Sequence, residues 1–377
     1  MRILIVQPGI GNYRIDFFNA LGQCAEVKVV YFFDNPGTHE EMFDRDLAPR
    51  LTSCQTEKMV GGLNIGNYPL RPGLWRAVDD FKPDVVVSHE FNPVTLQLYA
   101  QKKLTRRRWK LFVWTSDTPE MVQRCRFMRR MSRNFFCRAA DGLMVYSAET
   151  AAAYLKNTPA KKENITICPN VQSIARLRAA AEVELDNAEK LRAELNIADK
   201  KVFIFVGRLH PVKNLPVLLA AFNAAAVPDA VLLIVGDGAQ RVELEAFSRK
   251  LGMTQKVFFL GRRCDGELME CYAAADTLIL PSLHETFGAV VNEALAVGLR
   301  VILSRTAGAR TLIAADRSNG VLFDPTSQSN LSDAIAAEAG MVKRPHSGLR
   351  PPLTERDLTP FVKSFLEFCN LKTGGNA

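Results

Sequence analysis

The chain has 377 residues, 47% hydrophobic and 23% charged, which suits two folded globular domains and excludes an intrinsically disordered chain. No apolar run reaches the roughly 18 residues of a membrane span, and the N-terminal MRILIVQPGI reads as a first buried strand, its apolar part being too short for a signal peptide. Of the net charge of +8, nearly all lies in residues 1–170, with 24 Lys/Arg against 17 Asp/Glu, while the remainder carries 24 against 23. An anionic partner of the N-terminal half is the expectation, such as a membrane surface or a phosphorylated acceptor. Eight cysteines without a CxxC pair or a His-Cys cluster argue against a zinc site and a disulfide framework, and point to a reduced, cytoplasmic setting.

Short β-like runs alternate with helical patterns along the whole chain. In the first half the runs are Arg2–Val6, Val27–Phe33, Asp84–Ser88, Lys110–Trp114, Asp141–Tyr146 and Ile165–Cys168. In the second they are Val202–Val206, Ala230–Val235, Val257–Leu260, Thr277–Leu280, Arg300–Leu303 and Val321–Phe323. Runs that are apolar throughout fit parallel strands buried on both faces, and the alternation predicts βαβ units in two doubly wound sheets. The predicted organisation is an N-terminal domain over 1–170, a helical connector over 171–200, a second domain over 201–342, and a linker and helix over 343–377. That last helix is expected to cross back to the first domain.

In the first half, Gly9 and Gly11 follow strand one in PGIGNYRIDFF without the continuation of a dinucleotide fingerprint. These glycines admit either a ligand or an ordinary tight turn. Arg14 is placed to face an anionic partner. His89 ends one strand, and Asp117 follows another in VWTSDTPE. Asp117 reads either as a carboxylate acting on a bound ligand at the cleft edge, or as a helix cap before Pro119. The segment Arg124–Arg138 combines arginines with Phe127, Met128, Met131, Phe135 and Phe136 at helical spacing. It fits an anionic membrane interface or a sheet-covering helix with a charged outer face. Nucleic acid is disfavoured, since no recognition motif accompanies the charge.

The second half opens on a strand and then GRLHPVKN, Gly207 to Asn214. Backbone N–H groups at a helix start, with Arg208 and Lys213 beside them, suit a diphosphate at the carboxyl end of a parallel strand. The glycines of VLLIVGDGAQ, Gly236 and Gly238, fit a tight turn better than ligand contact. In PSLHETFGAVVNEALAVG, Glu285 and Glu293 stand eight residues apart around Thr286, Phe287 and Gly288. A carboxylate two turns into a helix can accept two hydrogen bonds from a ribose diol.

This string resembles the E-x7-E motif of the family 4 glycosyltransferases, a large family of GT-B architecture. The stretches GRLHPVKN, VLLIVGDGAQRVELE, FLGRRCDGELMECYAAADTLILPS and ICPNV are also similar to family sequence. The resemblance is specific over residues 200–325 and loose before them. It implies two Rossmann-like α/β domains facing across a cleft, with acceptor on the first and donor on the second. It implies that Arg208 and Lys213 bind the diphosphate and stabilise the leaving group. Glu285 would contact the donor sugar, Thr286, Phe287 and Gly288 would meet sugar or phosphate through their backbone, Glu293 would hold the ribose, and Arg263 or Arg262 would read the base. Gly11 would sit close to the donor sugar or the acceptor, with Arg14 and His89 on the acceptor side. Family members often carry a His where this chain has Asp117.

The activity implied is retaining, metal-independent hexosyl transfer from a UDP- or GDP-sugar to a saccharide or lipid-linked acceptor. Surface polysaccharide, lipopolysaccharide or glycolipid assembly at the inner face of the cell membrane is the implied setting. No cofactor and no metal are expected. Asp44-Arg45-Asp46 has the DxD spelling of a cation-binding motif, but it lies in an irregular stretch away from any apolar strand end. The rival readings are a sugar-nucleotide epimerase of the same architecture and a catalytically silent nucleotide-binding subunit.

Overall fold

Runs such as RILIVQ and KVFIFV form strands because β-branched and aromatic side chains fit a pleated surface, and they are apolar on both faces because helices cover both. The computed structural model describes residues 1–32, 47–60, 62–65, 68–341 and 348–374. The DxD triplet at Asp44–Asp46 and part of the linker beginning at Lys343 lie outside the described residues. The chain divides into two units, Met1–Val171 together with the segment from Leu358 onward, and Gln172–Asp357.

The first unit holds a seven-stranded parallel sheet. Its order is Gln55–Lys58, Glu26–Tyr31, Arg2–Gln7, Val85–His89, Lys110–Trp114, Gly142–Val145 and Ile165–Ile167. The edge strand Gln55–Lys58 was not expected, because QTEK is polar and shows no apolar pattern. The order reverses between Arg2–Gln7 and Val85–His89. The loops after those two strands therefore flank a topological switch point, where open α/β sheets bind ligands.

The C-terminal helix Thr359–Thr373 belongs to this unit. Phe365 lies 6.0 Å from Phe17 and 6.3 Å from Phe112, ring centre to ring centre, and Phe368 lies 5.1 Å from Phe112. A side chain at Gly142 would come within 2.8 Å of the Phe368 ring, so the glycine lets the helix approach the sheet. Full burial of one such Phe stabilises by about 2 kcal/mol.

The second unit holds a six-stranded parallel sheet. Its order is Val257–Gly261, Ala230–Val235, Lys201–Val206, Thr277–Leu280, Arg300–Ser304 and Gly320–Phe323. Here the reversal falls between Lys201–Val206 and Thr277–Leu280. The predicted connector forms two helices, Ile174–Val183 and Leu185–Glu194, which pack within this unit against Asp265–Ala273. Buried Arg192 fastens them by donating to the carbonyls of Ala274 and Lys200, at 2.8 and 2.9 Å.

Candidate active site

In the second unit, two loops leave the strands that flank the switch point. The first, Gly207–Asn214, contains the short 3-10 turn Pro211–Lys213. Asn214 ends that turn in the left-handed region, at φ +59°. Its buried amide donates to the carbonyls of Pro281 and Pro325, at 3.3 and 2.9 Å. The N–H of Leu283 donates to the carbonyl of Val212 at 2.8 Å. The two loops are thereby pinned to each other, and Lys213 Nζ donates to Glu285 Oε2. Arg208 has no ion-pair partner among the described residues, so its charge is uncompensated at the same strand end.

Gly236 and Gly238 meet a steric demand. A Cβ at Gly236 would lie 1.9 Å from the Gly207 carbonyl oxygen, and one at Gly238 would lie 2.6 Å from that of Leu209. Both hold positive φ, +141° and +151°. They let the neighbouring loop pack directly on the backbone of the GRLHPVKN turn, as a tight turn requires.

The helix Ala289–Val297 begins at Gly288, at φ +94°, with no side-chain cap and no acidic residue in its first turn. A helix start of this kind carries orphan N–H groups and partial positive charge. Thr286 and Gly288 are half-buried there. Phe287 is buried in the core, and its carbonyl accepts from the Ala309 N–H at 2.7 Å. Gly308 permits that contact, since a Cβ on it would lie 2.2 Å from the Thr286 carbonyl.

Glu293 is 7% exposed. Its Oε1 accepts from Gln172 Nε2 at 2.6 Å and its Oε2 from the Tyr272 hydroxyl at 2.8 Å. Burial, and then the neighbouring Glu293 carboxylate, push the Tyr272 hydroxyl well above its ordinary pKa. Arg263 folds back on its own strand end, with Nε donating to the Leu260 carbonyl at 3.2 Å and Nη1 3.6 Å from Glu267. Arg262 is exposed.

In the first unit, two expectations need correction. Arg14 does not face outward, being 3% exposed. It donates to the Gln7 carboxamide and to the Tyr146 hydroxyl, and its guanidinium lies 4.0 Å from the Trp114 ring centre. As the residue preceding the helix Ile15–Cys24, it turns under the loop and into the core. Asp117 is not at an open edge, because its side chain is fully enclosed. Oδ1 accepts from Arg129 Nη2 and Oδ2 from the Tyr154 hydroxyl, both at 2.6 Å, and Arg133 Nη1 lies 3.7 Å away. Nor is Asp117 the cap, since Thr118 accepts from the Met121 N–H to cap Pro119–Gln123. The register of the cap differs from the expected one by a single residue.

Gly11 has ordinary φ, but a Cβ on it would lie 2.8 Å from the Tyr13 ring, so it makes room for that ring. His89 is half-buried at the end of its strand, and its carbonyl accepts from Asn92 Nδ2 at 2.8 Å. Sequence reasoning missed Arg129, Tyr154, Gln172, Tyr272 and Asn214. Their roles rest on contacts between residues distant in the chain, and only Asn214 carries a local signal, as an Asn placed to take the left-handed conformation before Leu-Pro.

The helix Phe127–Ala139 turns Arg133, Phe136 and Cys137 inward. Phe127, Met128, Met131 and Phe135 are exposed, as are Arg124, Arg126, Arg130 and Arg138. Among the described residues, no helix is long and apolar enough to cross a membrane.

Residues 9–171 match the model of the glycosyl transferase 4-like domain, and residues 187–337 match that of glycosyl transferases group 1. The chain is 38% identical over 338 residues to a GDP-mannose-dependent alpha-mannosyltransferase of Mycobacterium tuberculosis, covering 87% of this chain and 83% of that protein. It is 32% identical over 236 residues to a D-inositol 3-phosphate glycosyltransferase of Corynebacterium glutamicum, covering 59% of this chain and 53% of that one. Several curated relatives are matched over about half of their own length. The structure of Anabaena Alr3699/HepE in complex with UDP superposes with a TM-score of 0.73 at 20% identity, over 97% of this chain and 99% of that one, a likeness of fold. With both units matched and the mannosyltransferase aligned over most of its length, the chain belongs to the family 4 glycosyltransferases and has their GT-B fold.

Proposed function

We propose that this protein is a retaining, metal-independent glycosyltransferase that moves a sugar from a UDP- or GDP-sugar to a saccharide or lipid-linked acceptor. The observation that carries this reading is the cluster at the switch point of the second sheet, where the Lys213–Glu285 pair and unpaired Arg208 adjoin an uncapped helix start. A diphosphate needs cations and oriented N–H groups, and a departing diphosphate needs them most, because its charge grows toward the transition state. Arg208 and Lys213 meet that charge without a metal ion. Glu285, held by Lys213, contacts the donor sugar, and the N–H groups of Thr286 and Gly288 lie toward sugar or phosphate.

Glu293 accepts from the ribose diol, with its carboxylate oriented by Gln172 and Tyr272. Arg263 lies nearest the base. In the first unit Gly11 lies toward the donor sugar or the acceptor, and His89 belongs to the acceptor side. The relative named for GDP-mannose and the fold neighbour holding UDP support the choice of donor. The exposed apolar and basic face of Phe127–Ala139 supports a peripheral site at an anionic membrane, in the assembly of a surface polysaccharide, lipopolysaccharide or glycolipid. The experiment is a thermal-shift screen of nucleotide-sugars without added metal. Stabilisation by one UDP- or GDP-sugar is the expected result, and a flat response across the panel refutes the reading.

A further inference from the structure

Glu90 follows His89 and holds a left-handed backbone, at φ +65°. For a residue with a side chain this costs roughly 1–2 kcal/mol, so it persists only where its surroundings hold it. Its carboxylate supplies the hold. Oε1 accepts from the N–H and hydroxyl of Ser116, at 2.7 and 2.5 Å, and Oε2 accepts from Arg129 Nη2 at 3.0 Å. The same Arg129 nitrogen donates to Asp117 at 2.6 Å. One guanidinium thus joins the Glu90 and Asp117 carboxylates across the loops that follow Val85–His89 and Lys110–Trp114, which Glu90 also links directly by accepting from Ser116 and, at 3.3 Å, from the Thr115 hydroxyl.

Asp117 does not depend on Arg129 alone, because the Tyr154 hydroxyl and Arg133 also face it. Arg129 is the cation that reaches Glu90 as well. Burial opposes its charge, but Glu90 and Asp117 outweigh burial and raise the guanidinium pKa. At its far end the His89 loop is fixed by Asn92, which accepts from the Thr95 N–H as the cap of Pro93–Leu104. Glu90 is the matching anchor at the near end.

We propose that Arg129 is a positioning residue for the acceptor side: by holding Glu90 and Asp117 together, it fixes the loop that presents His89. The assignment rests on the glycosyl-transfer reading for its consequence in turnover, but not for its effect on His89. Asp117 itself is fully enclosed.

The test compares wild type, Arg129→Gln, Arg129→Lys and Glu90→Gln in the full chain. Glu90→Gln leaves Asp117 its guanidinium, and so guards against misfolding of the first variant. The probe is the imidazole carbon–proton signal of His89 by NMR, assigned with His89→Gln and referenced to His210 and His284 in the other unit. Transfer is measured with UDP-glucose or GDP-mannose as donor and methyl α-glucoside or methyl α-mannoside as acceptor surrogate. A shifted or broadened His89 signal is expected in Arg129→Gln and Glu90→Gln, with His210 and His284 unmoved and partial recovery in Arg129→Lys. The acceptor-dependent kcat should fall at least tenfold at unchanged nucleotide affinity. A His89 signal unmoved in both variants, or wild-type transfer where that signal has moved, overturns the assignment. A wild-type protein inert toward every donor defeats the transfer reading, while the NMR result still decides whether Arg129 sets the loop.

Discussion

Lys213 Nζ donates to Glu285 Oε2, across the two loops that leave neighbouring strands at the reversal of the second sheet. Both side chains are half-buried, so the pair is screened less than a surface ion pair. It fixes the direction of the Glu285 carboxylate and keeps Lys213 at the strand end. Arg208, beside it and without an ion-pair partner among the described residues, is available to an incoming anion.

Glu293 carries two buried donors besides any ligand, which changes what its removal does. In Glu293→Ala, Gln172 Nε2 and the Tyr272 hydroxyl lose their acceptors. Each buried unpaired group costs about 1–3 kcal/mol, so a lower Tm should accompany weaker nucleotide binding. Glu293→Gln keeps the shape and one acceptor. It should retain most of the stability while nucleotide affinity still drops about tenfold, as for a lost hydrogen bond to a charged group. Calorimetric titration with UDP and GDP decides this, and wild-type affinity in folded Glu293→Gln removes the residue from the ribose site.

Asp117→Asn should act mainly on stability. The substitution removes the charge that faces Arg129 and Arg133 in an enclosed site. Breaking a buried pair typically costs about 3–5 kcal/mol, and an Asn that still accepts hydrogen bonds should fall at or below the lower end. Urea unfolding should show a reduced midpoint with an unchanged slope. A midpoint within error of wild type, together with a large loss of kcat, would restore the carboxylate to the chemistry.

The strands were legible because parallel strands covered on both faces are apolar throughout, and Lys110–Trp114, Ala230–Val235 and Thr277–Leu280 have the bounds expected of them. The placement of Lys213, Glu285 and Gly288 beyond strand ends was legible because GRLHPVKN and PSLHETFG directly follow apolar strands in the chain. The surroundings of Asp117 were not. Arg129 and Arg133 sit in a basic stretch that looks solvated along its whole length, and only the packed helix turns these two inward while leaving Arg130 outside. The same holds for Arg14, whose partners Tyr146 and Trp114 are distant in the chain.

The helix Phe127–Ala139 should bind anionic vesicles by two mechanisms. Arg124, Arg126, Arg130 and Arg138 are exposed, and each contributes about 1 kcal/mol near an anionic surface. Phe127 and Met128 are 73% and 72% exposed and can enter the interface. In flotation with phosphatidylglycerol vesicles, high salt should weaken binding to a residual level, and Phe127→Ser with Met128→Ser should remove that residue. Equal binding to neutral vesicles at all salt concentrations contradicts the electrostatic part.

Buried thiols give a pH dependence of known sign. Burial pushes Cys54 up to about 11 and Cys168 and Cys271 up to about 12, from an ordinary value of 9.0. Below pH 9 these thiols are protonated in both the folded and unfolded chain and the contribution to stability is constant. Between pH 9 and 11 to 12 the unfolded chain releases protons that the folded one keeps, so stability falls as pH rises. Melting temperature should decline from about pH 9 upward. At pH 8 a thiol reagent should label exposed Cys24 well before these three. Fast labelling of Cys168 in the folded protein would show that its enclosure is wrong.

The most direct measurement follows nucleoside diphosphate release from a panel of UDP- and GDP-sugars in excess EDTA, with and without saccharide acceptors, for wild type and Lys213→Ala. Release that depends on acceptor and persists in EDTA is predicted for wild type. In folded Lys213→Ala the kcat should fall about a hundredfold, as for loss of one preorganised donor to a developing anion, while donor affinity changes less. Activity abolished by EDTA, or a Lys213→Ala variant with wild-type kcat and a raised KM alone, would contradict leaving-group stabilisation by Lys213 at the switch point of the second sheet.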